Sequence, residues 1–170
     1  HGFFIYQSTQ HVPLVIRAPH GAKGRRVDER VSLVDIVPTV LDLAGLKTPE
    51  RVEGRSLRAA LEGRPAPDRA RSVYCESLEA TQFGCSGLYG VVEDGSKYIR
   101  APRQELYDLP RDPDEAHNLF DKDLEAAKRL RDRLEELLQD YEAAAPERGS
   151  ASVDPDAVKR LQSLGYVGGG

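Results

Sequence analysis

Methionine is absent from the 170 residues, and the chain opens on His1. A complete translated reading frame is excluded on that basis, so the expectation is a piece of a longer protein. Cysteine is nearly absent: Cys75 and Cys85 are too few for a disulfide framework or for the ligand set of a structural zinc site. Long apolar runs are missing too. None approaches the roughly 18 residues of a membrane span, and no signal peptide is visible. Positive charge is not in excess, since 24 Lys and Arg face 28 Asp and Glu for a net charge of -4. Affinity for a phosphate backbone comes from Lys and Arg displacing counterions, so a general nucleic-acid binder is disfavoured.

What is present describes a globular chain. Hydrophobic residues make up 39% and charged residues 31%, enough for a core beneath a solvated surface. Residues 12–18, "VPLVIRA", form a short β-branched run suited to a strand buried on both faces, with Pro13 near its start where no ladder donor is needed. "VSLVDIVPTVLDLAG" then sets Val34, Val37, Val40, Leu41 and Ala44 at helical spacing. Asp35 is placed as N-cap, Pro38 falls in the first turn, and Gly45 closes the end.

After a proline-bearing connector the texture changes. "SVYCES", "GLYGVV", "SKYIRAP" and "ELYDL" read as about four antiparallel strands, with Glu93 to Ser96 as a hairpin turn. Leu124, Ala127, Leu130, Leu134, Leu137 and Tyr141 then make one apolar stripe on a long helix. Residues 146–152 read as a linker, and Asp154-Pro155 opens a short final helix.

Most candidate sites fail on spacing. Asp112, Asp114 and Glu115 suggest a calcium loop, but its sixth position is His117 and its twelfth is Asp123, where glycine and glutamate are required. A turn leading toward a helix is the better reading. His11, His20 and His117 are too scattered to form a helical metal pair. Gly21 to Gly24 matches a GxxG RNA loop, yet its flanks are wrong and Asp28 and Glu29 follow at once. No G-x-S-x-G elbow exists, and Gly54-Arg55-Ser56-Leu57 is better placed to start a helix.

Three stretches taken together carry more. "HGFFIYQSTQHVPLVIRAP", "VSLVDIVPTVLDLAGL" followed by "VEGRSL", and "ELYDLPRDPDEAHNL" resemble, in this order, the C-terminal part of sulfatases in the alkaline phosphatase superfamily. The tail "LQSLGYVGG" is similar to the end of the catalytic region in a bacterial subset of them. The resemblance implies an α/β, alkaline phosphatase-like fold class. Residues 1–70 would close the large α/β catalytic domain, residues 71–145 would form a small subdomain with a four-stranded antiparallel sheet packed on a long helix, and residues 146–170 would be linker and terminal helix.

It also implies the chemistry. Sulfatases cleave sulfate esters with a formylglycine made in a C/S-x-P/A-x-R motif and with calcium held by Asp and Asn or Gln oxygens, parts expected outside this chain. Cys85 cannot supply the nucleophile, because Gly87 stands where Pro or Ala is needed and Tyr89 where Arg is needed. The chain alone is therefore expected to be inactive. By the resemblance, His1 occupies the place where many sulfatases carry a lysine that contacts sulfate, while in phosphatases and phosphodiesterases of the superfamily a histidine at the like position ligates a metal. Either role fits the sequence, as does a structural histidine at a strand entry. His11 and His20 stand where relatives tend to carry arginine and glycine. The alternative within the superfamily is a metal-dependent phosphodiesterase or phosphatase; outside it, a non-catalytic binding module. A periplasmic or extracellular location is implied by the resemblance alone.

Overall fold

A computed structural model describes residues 3–18, 24–64 and 71–144. The linker and final helix expected after residue 145 lie outside them. The chain divides into two compact units, His1–Glu136 and Leu137–Gly170, so the boundary falls inside a helix. Among the described residues no helix is long and apolar enough to cross a membrane.

The centre of the first unit is an antiparallel meander, β1 (Val73–Ser77), β2 (Leu88–Glu93), β3 (Ser96–Arg100) and β4 (Glu105–Asp108), in the order β1-β2-β3-β4. The hairpin between β2 and β3 is the expected one: Glu93 pairs with Ser96, and Asp94 and Gly95 carry φ of 48° and 85°. Positive φ at both central positions gives a turn whose twist matches the strands. A Cβ on Gly95 would also meet Pro110 Cγ at 3.0 Å, so glycine serves space as well as conformation.

Register places Val73, Cys75, Gly90, Val92, Lys97, Ile99, Glu105 and Tyr107 on one face of the sheet. Ile5, 1% exposed, packs there with Val92, Ile99, Tyr107 and Leu109. The opposite face, with buried Val91, Tyr98 and Leu106, belongs to the side of α4 (Leu124–Ala144). Ala127, Leu130 and Leu134 of that helix are buried, and Arg129 and Arg133 reach back to Glu93 at 2.6 and 3.8 Å. Leu124, first in the expected stripe, is 66% exposed because the helix is only beginning there. The sheet thus has the N-terminal segment on one side and the helix on the other.

The N-terminal half departs from expectation in two places. Residues 12–18 form no strand; they run without ladder partners, and Val15 is 90% exposed. A strand buried on both faces needs neighbours, and the described residues supply none. The second departure is α2 (Ile36–Leu43), preceded by a 3-10 turn at Leu33–Asp35, which has its apolar stripe outward, with Val34, Val37 and Val40 exposed. Its inward residues are Asp35, Pro38 and Thr39. Gly45 ends it as expected, with φ of 72° and Leu46 N–H donating to Leu41 O at 2.8 Å. The short helices α1 (Gln7–Gln10) and α3 (Arg58–Glu62) and a 3-10 turn at Glu79–Phe83 between β1 and β2 are also present, α3 starting directly after Leu57 as the sequence indicated.

Candidate functional site and its supports

His1 lies outside the described residues, as does His20. What the structure fixes is the segment that follows His1. Phe3 sits 5.7 Å from Phe83 between ring centroids, and Phe4 stacks on Tyr6 at the same separation. The Tyr6 hydroxyl donates to Glu105 Oε2 at 3.0 Å, and the Tyr107 hydroxyl reaches the same oxygen at 2.7 Å. Burial first, and then the Glu105 carboxylate, pushes the Tyr107 hydroxyl well above the ordinary phenol range and raises Tyr6 as well. Both hydroxyls therefore stay protonated donors.

Behind this segment is a buried ion pair that the sequence did not disclose. Lys97 Nζ lies 2.7 Å from Glu115 Oε1, with the two side chains 0% and 2% exposed. The ammonium also donates to Ile5 O at 2.5 Å, and the Gln7 N–H donates to Glu115 Oε2. One lysine and one glutamate, from β3 and from the turn after β4, thus hold the backbone of residues 5–7. Glu115 takes a φ of 54°, in the left-handed region, while Asp112 Oδ1 and Oδ2 accept from Ala116 and His117 N–H at 3.1 and 2.8 Å. That conformation costs a non-glycine residue about 1–3 kcal/mol. The surrounding turn imposes it.

A second buried cluster anchors α2. Asp35 is fully buried and accepts from Ser32 N–H at 2.8 Å, Arg55 N–H at 2.9 Å and Arg71 Nη2 at 2.6 Å, with Arg71 Nη1 on its other oxygen. Burial pushes its carboxyl up, but the Arg71, Arg55 and Ser32 hydrogen bonds outweigh that and hold it below the usual carboxylate value. Asp35 stands just before α2, where the N-cap was expected, but its side chain makes no cap bond there; it is the third residue of a capping box whose N-cap is Ser32, one turn earlier. Thr39 Oγ1 donates to Asp35 O at 2.6 Å and accepts from Leu57 N–H at 2.8 Å, which ties the "VEGRSL" stretch to the helix.

The remaining candidates hold no chemistry of this kind. His117 is 78% exposed, 3.7 Å from Asp112, and His11 is exposed. Asp112 spends its oxygens on backbone N–H groups, as a turn residue does. Among the described residues no three His, Cys, Asp or Glu side chains gather where a metal ion could be held, so these residues do not fit a calcium site. Cys75 and Cys85 are both free thiols.

The family model for N-sulphoglucosamine sulphohydrolase, C-terminal, matches residues 1–143. The N-acetylglucosamine-6-O-sulfatase of Bacteroides thetaiotaomicron is 32% identical over 154 residues, covering 85% of this chain and 28% of its own length. A solved structure, BT4656 in complex with its substrate D-glucosamine-2-N,6-O-disulfate, superposes with a TM-score of 0.55 at 29% identity, covering 68% of this chain and 25% of that one. The phosphonate monoester hydrolase from Silicibacter pomeroyi shares the fold at a TM-score of 0.64 and 23% identity, covering 88% of this chain and 32% of that one. The chain spans less than a third of each of these three proteins. From His1 to residue 143, it belongs to the sulfatases of the alkaline phosphatase superfamily, in their C-terminal region.

Proposed function

We propose that this chain acts as the C-terminal part of an enzyme that hydrolyses sulfate esters. The observation that carries the reading is the family match across residues 1–143. It is supported by apolar residues left uncovered in one stretch, Val12, Leu14 and Val15, and along α2 and the turn before it, Val34, Val37 and Val40, which suit contact with the remainder of a larger α/β domain. The nucleophile and a calcium ion would be carried by sequence outside this chain. His1 would stand at the substrate side.

A charged histidine there would offer a donor and a positive charge to the sulfate. Because the ordinary histidine pKa is near 6.5, bound sulfate would favour the protonated form. The alternative, a metal-dependent phosphodiesterase or phosphatase, draws on the fold shared with a phosphonate monoester hydrolase, and its histidine would bind metal as neutral imidazole. The two readings separate by pH. A sulfate contact loses activity as pH rises past the histidine pKa, whereas a metal ligand loses it as pH falls and protons compete with the metal. The test is the intact reading frame, assayed on sulfate and phosphate esters across that range, with mass spectrometry of the peptide bearing the C/S-x-P/A-x-R motif for an aldehyde. A normal cysteine or serine there, with phosphate ester cleavage only, would overturn the sulfatase reading.

A further inference from the structure

We draw no further inference here: the strongest candidate, the exposed aromatic patch that Phe3 forms with Phe83 of the 3-10 turn between β1 and β2, carries nothing because nothing in the structure shows what covers it.

Discussion

Replacing Arg71 by methionine isolates what the Asp35 cluster contributes. Asp35 has no exposed surface and Arg71 is 16% exposed, so the substitution leaves a buried carboxylate with two backbone N–H donors and no counter-charge. Removing one member of a buried pair costs about 3–5 kcal/mol, and the two surviving N–H bonds place the expectation at the lower end, about 3 kcal/mol at pH 7. The sign with pH follows from the direction of the shift. The folded-state pKa of Asp35 lies below its ordinary 3.8, so its stabilising contribution is present above that value and is lost as pH falls through the folded pKa. In the variant the carboxyl has lost its main charge partner and its pKa rises. The gap between parent and variant should therefore narrow in acid. Urea unfolding of both proteins at pH 7 and at about pH 3 measures the two differences. A cost below about 1 kcal/mol at neutral pH, or a gap that does not shrink in acid, would refute the reasoning.

Three further outcomes follow from the same structure. Gly54→Ala should destabilise by more than about 2 kcal/mol in thermal or urea unfolding, because a Cβ at φ of 87° would overlap the Val34 carbonyl and stand 2.9 Å from Asp35 Oδ1. An alkylating agent at pH 8 should label exposed Cys85 well before Cys75, whose thiol is pushed up by burial; equal labelling by mass spectrometry would contradict the packing of Cys75 under Ile5 and Gly90. Tyr107 and Tyr6 are raised in the folded state, so their contribution to stability is whole below the ordinary phenol value of 10.0 and declines above it. Spectroscopic titration should show Tyr107 ionising only as the chain unfolds in alkali, and Tyr6 ionising above the ordinary phenol value.

The sheet was legible because its pairings are local. Alternating segments a few residues apart, with "EDGS" between two of them, fix a meander with little ambiguity, and the Ala127, Leu130 and Leu134 stripe follows from helical period alone. Residues 12–18 and α2 were read correctly as apolar, but their burial depends on neighbours that the described residues do not include. Lys97 was invisible for a different reason. A lysine between Ser96 and Tyr98 reads as solvent-facing, and only the N-terminal segment folding back across the sheet buries it. Glu115 was seen as a would-be calcium ligand, and its partner lies on β3, which no spacing rule connects to a turn beyond β4.

The central claim is tested most directly by the intact reading frame, purified and given an aryl sulfate and a matched phosphate diester side by side. Release of inorganic sulfate, with turnover on the sulfate ester exceeding that on the diester, is the result expected of a sulfatase C-terminal region working in place. Turnover of the phosphate diester alone, unaffected by loss of the upstream cysteine or serine, would contradict it.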